Sequence, residues 1–76
     1  MKQSVYIETT IVSYLAANLS RDIVVAAHQQ ITQEWWTNVR PKLDCYISPF
    51  VVQEAQRGDD KIAKKRIKLL SGIASI

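Results

Sequence analysis

The chain has little of what would mark a membrane, disulfide-rich or extended protein. Its 76 residues include one cysteine, Cys45, so no intramolecular disulfide framework can form and a zinc site built on several cysteines is disfavoured. Cys45 lies between Asp44 and Tyr46 in an alternating run, where it reads as a small buried hydrophobe. A lone free thiol fits the reducing cytoplasm. Two glycines and two prolines leave little room for long loops or linkers. The apolar runs at 5–7, 11–17 and 23–27 all break off well short of the roughly 18 residues of a membrane span, so neither a span nor a signal peptide is expected. There is no internal repeat and no low-complexity stretch. His28 has no second histidine to work with and reads as solvated or locally bonded rather than as a metal ligand.

What is present is ordinary globular material: 47% hydrophobic and 22% charged residues, a balance that argues against disorder. A chain of this length makes one domain at most, burying roughly 60–65% of the surface exposed when unfolded. The net charge of +3 suits an anionic partner but is too small to establish one.

Local patterns give a strand–helix alternation. Ser4-Val5-Tyr6-Ile7 has the β-branched and aromatic content of a buried strand, which Glu8 ends. Thr9 and Thr10 are expected to cap a short helix reaching about Asn18. A second helix is expected to start at Ser20-Arg21-Asp22, carry an apolar stripe of Ile23, Ala27, Ile31 and Trp35, and stop near Asn38 or Val39 ahead of Pro41. Leu43 to Ser48 alternates as a second strand. Ser48-Pro49 is a helix start, with Gly58 closing that third helix near Gln56 or Arg57. Asp59-Asp60 opens a fourth helix with an apolar face of Ala63, Ile67 and Leu70, terminated by Gly72. Residues 73–76 read as entry into a third strand. Strands separated by helical crossovers are expected to be parallel, and a parallel sheet is expected to be covered on both faces. The fold class is therefore α/β, and the sequence reads as stopping in mid-architecture, with an exposed strand edge and self-association as the expected consequences.

Two carboxylates stand where open α/β sheets place their sites, outside the carboxyl ends of strands. Glu8 leads directly into the hydroxyls of Thr9 and Thr10, hard oxygen donors of the kind that suit Mg²⁺ or Mn²⁺. Its alternative role is simply to complement the following helix's N-terminus. Glu54 lies one to two turns after Ser48-Pro49, and helical side chains lean back toward the N-terminus, here toward the end of the second strand. With parallel strands the two glutamates can converge at one rim; the alternative for Glu54 is a solvent-facing position beside Gln53 and Arg57.

The run Val5-Tyr6-Ile7-Glu8-Thr9-Thr10-Ile11-Val12-Ser13-Tyr14-Leu15 resembles the opening of a PIN domain, as in VapC-type toxins of bacterial toxin–antitoxin pairs. Ser48-Pro49 through Glu54-Ala55-Gln56-Arg57-Gly58-Asp59 resembles that family's second motif. The resemblance covers about the first half of a usual PIN domain and implies a PIN-like three-layer fold, truncated after the fourth helix. It also implies metal-dependent hydrolysis of RNA phosphodiesters in the cytoplasm. Glu8 and Glu54 would be the metal ligands for Mg²⁺ or Mn²⁺, with Thr9 or Thr10 hydrogen-bonding a ligand or a metal-bound water. RNA would be the substrate, an antitoxin protein the partner, and a homodimer the common assembly. Two departures matter: the first acidic residue is commonly aspartate in the family, and nothing acidic follows Asp60 to complete the cluster. Residues 1–76 taken alone are therefore expected to have little or no nuclease activity, and a non-catalytic nucleic-acid- or protein-binding module is the alternative.

Other residues read more plainly. Lys61, Lys64, Lys65 and Lys68 share one face of the fourth helix, with Arg66 at its edge, either as phosphate contacts or as a solvated face. Trp35 and Trp36 diverge by about 100° on a helix, so one is expected in the core and the other partly exposed.

Overall fold

A computed structural model describes residues 2–75 of the chain. Its elements follow the order β1 (Ser4–Tyr6), α1 (Thr9–Ala16), α2 (Ile23–Asn38), a 3₁₀ turn (Arg40–Lys42), β2 (Asp44–Ile47), α3 (Pro49–Ala55), α4 (Asp60–Leu70) and β3 (Ala74–Ser75). The three strands form one parallel sheet in the order β1-β2-β3, with Tyr6, Tyr46 and Ala74 side by side across it. The third strand stands where Ile73 to Ser75 pointed, and Ile76 lies outside the described residues.

Helix ends follow the local chemistry in most places. Asp22 accepts from the backbone N–H groups of Val24 and Val25, Ser48 from Val51, and Asp59 from Lys61 and Ile62, satisfying donors that a helix start leaves orphaned. Pro49 takes the first position of α3, where its missing N–H costs nothing. Gly58 sits at φ +87 between α3 and α4, a left-handed conformation that favours glycine. Arg66 of α4 ties this corner together, donating from Nε to the Ala55 carbonyl at 2.9 Å and from its terminal nitrogen to the Arg57 carbonyl.

Three local expectations are corrected. Thr9 and Thr10 do not cap α1; Glu8 holds the N-cap position with extended backbone, and both threonines lie inside the first turn. The helix ends at Ala16 rather than near Asn18, since Ala17 is already extended. Most of the stripe on α2 faces outward, with Ile23 85% and Ile31 65% exposed, while its last member, Trp35, packs against the core. The buried residues of that helix are Gln29 and Trp36. Gln29 and Trp36 share the inward face of the helix: the Gln29 amide oxygen accepts from the Ser20 N–H at 2.9 Å, its Nε2 donates to the Asn18 carbonyl at 3.0 Å, and Trp36 packs in the core. With Gln29 and Trp36 inward, Ile23, Ala27 and Ile31 lie on the exposed side of the helix.

Ile7, Val12, Trp36, Ile47, Val51, Ala55 and Leu70 form the core, with Val5, Cys45, Trp35 and Ile67 packed against it. All four helices contribute to this one cluster, on the sheet face that carries Val5, Ile7, Cys45 and Ile47. Ser4, Tyr6, Tyr46 and Ala74, on the opposite face, are exposed. Helices on both faces were expected, yet among the described residues only one face is covered. The physical reason is topological. A sheet that advances steadily from β1 to β3 through crossovers of one hand places every crossover on the same side, and a second layer requires the order to reverse.

Trp36 is buried under Arg40, whose guanidinium carbon lies 4.5 Å from the ring centroid, while Trp35 is half-buried and tilted 55° to it. Cys45 is half-buried rather than fully buried. No helix among the described residues is long and apolar enough to cross a membrane.

Candidate functional site

Parallel pairing sets two strand–helix junctions side by side. Tyr6 pairs with Tyr46, and the Ile7 N–H donates to the Tyr46 carbonyl at 2.8 Å, which carries the register to the very end of β1. Glu8 and Ser48 each stand two residues beyond that pair, and each leads straight into a helix. The convergence expected of Glu8 and Glu54 is present: both line one solvent-open hollow of about 330 Å³, together with Tyr6, Thr9, Thr10, Phe50 and Val51.

Glu8 is exposed, and although it occupies the N-cap position its side chain makes no capping hydrogen bond. Its backbone carbonyl takes the first-turn bond instead, accepting from the Ile11 N–H at 3.1 Å. The carboxylate is left facing the hollow, where it also complements the positive end of α1. Glu54 is half-buried, and its Oε1 accepts from the Thr9 hydroxyl at 2.6 Å. That bond joins α1 to α3 across 45 residues of sequence and fixes one oxygen of Glu54. Thr10 is exposed on the same wall and offers a further hydroxyl.

Oxygen donors dominate this set, which matches a hard cation that keeps most of its water and takes one or two carboxylates. Among the described residues no group of three or more His, Cys, Asp or Glu is placed to hold a metal ion.

Sequence reasoning singled out Glu8, Glu54, Thr9 and Thr10, and the structure brings all four to one hollow. It did not single out Tyr6 and Phe50, whose side chains complete the walls. The signal was available in the spacing: positions 6 and 8 share a face on an extended strand, and positions 50 and 54 share a face one helical turn apart. Tyr6 donates or accepts through its hydroxyl at 2.7 Å from the Ser48 Oγ, the same oxygen that caps α3.

The remaining candidates lie elsewhere. Lys61, Lys64, Lys65 and Lys68 are exposed on α4, whereas Arg66 is withdrawn from that row to hold the α3–α4 corner. Lys65 and Lys68 border a larger cleft of about 530 Å³ near the amino-terminal ends of β2 and β3, with Trp36, Arg40, Leu69 and Ile73 among its walls and no carboxylate. His28 is exposed and lies parallel to the Tyr14 ring at a centroid distance of 6.0 Å, away from both glutamates. Comparison with family models, curated proteins and solved structures finds no match for this chain.

Proposed function

We propose that the Glu8–Glu54 hollow is the metal-binding half of a PIN-type endoribonuclease site, acting on RNA phosphodiesters with Mg²⁺ or Mn²⁺. The observation that carries this reading is the meeting of two carboxylates from separate strand–helix junctions in one solvent-open hollow, one of them positioned by a threonine. When bound, a divalent ion there would supply Lewis-acid stabilisation of phosphate charge and a more acidic water. Glu8 and the Glu54 oxygen not bonded to Thr9 would hold it. Thr9 keeps Glu54 in one orientation, so less conformational freedom is lost on binding, and Thr10 offers a hydroxyl to an ordered water. Two carboxylates give weak retention of the ion, so the chain on its own has little or no nuclease activity.

In this reading the protein works in the cytoplasm against RNA, with an antitoxin protein as its partner and a homodimer as its assembly. Leu19, Ile23, Val24 and Ile31, exposed by 77%, 85%, 66% and 65%, supply apolar surface for a protein partner and also support the alternative of a non-catalytic binding module.

Manganese titration followed by electron paramagnetic resonance tests the metal reading directly. The wild-type chain is expected to bind one Mn²⁺ weakly, with binding lost in both Glu8→Gln and Glu54→Gln. Binding unchanged by either substitution would overturn the reading. Loss of RNA binding on changing Lys64 and Lys65, with no effect of Glu8→Gln, would favour the binding module.

A further inference from the structure

We propose that Tyr6 and Phe50 form a stacking wall for an unpaired base of single-stranded nucleic acid, holding it beside the Glu8–Glu54 carboxylates. The proposal rests on the reading of this hollow as the place where a phosphodiester is held, and it adds which substrate form enters.

Phe50 is 61% exposed and Tyr6 46% exposed, in a chain whose core is short of large apolar side chains. Phe50 sits on the first turn of α3, and Tyr6 on the last residue of β1. Both rings line the same hollow as the two glutamates. The Tyr6 hydroxyl bond to Ser48 anchors one edge of that ring and leaves the rest of it available. A ring held this way loses little freedom when something flat packs against it.

Size and chemistry narrow the occupant. At about 330 Å³ the hollow stands near the lower end of ordinary ligand pockets, which run from roughly 300 to 1,000 Å³, and suits one flat group rather than a chain of side chains. Its carboxylates repel an acidic peptide and favour a ligand that arrives with a cation. A nucleotide does so, since its phosphate carries divalent ions while its base offers a π-face to any aromatic ring. Base–aromatic stacking tolerates every base but requires it to be unpaired, because bases inside a duplex present no free face. The arrangement therefore selects single strands with little sequence preference at this position.

The test measures fluorescence anisotropy of a labelled single-stranded oligoadenylate and of its abasic counterpart with the same phosphates, both at one fixed Mg²⁺ concentration so that the metal and phosphate contributions cancel in the comparison. The wild-type chain is expected to prefer the base-bearing strand by about tenfold or more, the scale of one stacked base. Phe50→Ala should remove most of that preference while leaving abasic binding unchanged, and Phe50→Trp should restore it. Tyr6→Phe, which loses the anchor and keeps the ring, should lower the preference slightly, and Tyr6→Ala should lower it further. Phe50 is mostly exposed, so its substitution leaves the fold intact, as circular dichroism will verify. Equal binding of both strands by the wild type, absence of binding to either, or a preference unchanged in Phe50→Ala would each overturn the proposal. The manganese titration separates the two ideas. Stacking without Glu8-dependent metal binding removes the nuclease reading alone, and metal binding without a base preference removes the stacking wall alone.

Discussion

Thr9→Val removes the hydroxyl that holds Glu54 and changes almost nothing else, because valine keeps the shape of threonine. The Thr9–Glu54 bond is short, at 2.6 Å, and its acceptor is a carboxylate. A hydrogen bond to a charged group contributes roughly 1.5–3 kcal/mol when well buried. Both residues here are half-buried, so water replaces part of the loss, and a cost of about 1–2 kcal/mol is expected. Urea unfolding monitored by tryptophan fluorescence measures it. With a slope of about 1 kcal/mol/M for a chain this small, the midpoint should fall by about 1–2 M. Thr9→Ser keeps the donor and should lie much closer to wild type. The stricter test is a double-mutant cycle with Glu54→Met, which has similar length and no acceptor. A coupling of about 1 kcal/mol is expected; effects that add to within about 0.3–0.5 kcal/mol would show that the two side chains act independently and refute the argument. Thr9→Val should also weaken Mn²⁺ binding while leaving Glu8 in place, because the second carboxylate is no longer fixed.

Gln29→Leu removes the amide that satisfies Ser20 and Asn18 and leaves two loop groups without partners, so a loss of about 2–3 kcal/mol is expected in the same urea assay. Gly58→Ala meets no atom closer than the Arg66 terminal nitrogen at 3.8 Å, so its cost is backbone strain alone, about 1–2 kcal/mol by thermal unfolding. Val51→Ala, at a position 2% exposed, should cost about 2–3 kcal/mol from lost burial and the cavity left behind. Ile23→Lys and Ile31→Lys together should leave stability within about 0.5 kcal/mol of wild type, since both side chains are mostly in solvent. Sedimentation velocity on the same variant should show less self-association if α2 carries the contact.

The sequence by itself determined the elements and their order. Capping residues Asp22, Ser48 and Asp59, the proline at 49 and the glycine at 58 act within a few residues of where they stand, so their chemistry is readable without a fold. The same holds for the alternation of Cys45 and Ile47 and for the inward face of α4. Glu8 and Glu54 were legible as candidates because each follows a strand end, and parallel pairing could be inferred from the helices between strands. Only the tertiary structure decided the rest. Which face of α2 turns inward was set by Trp36 entering the core together with Gln29 reaching back to a loop, and the Gln29 contacts leave no mark in the hydrophobic period. Which sheet face is covered followed from strand order, a property of the whole sheet and of no single segment. The pairing of Thr9 with Glu54, and the meeting of Tyr6 and Phe50 around them, required two segments more than 40 residues apart to be set side by side, and only the register of β1 on β2 does that.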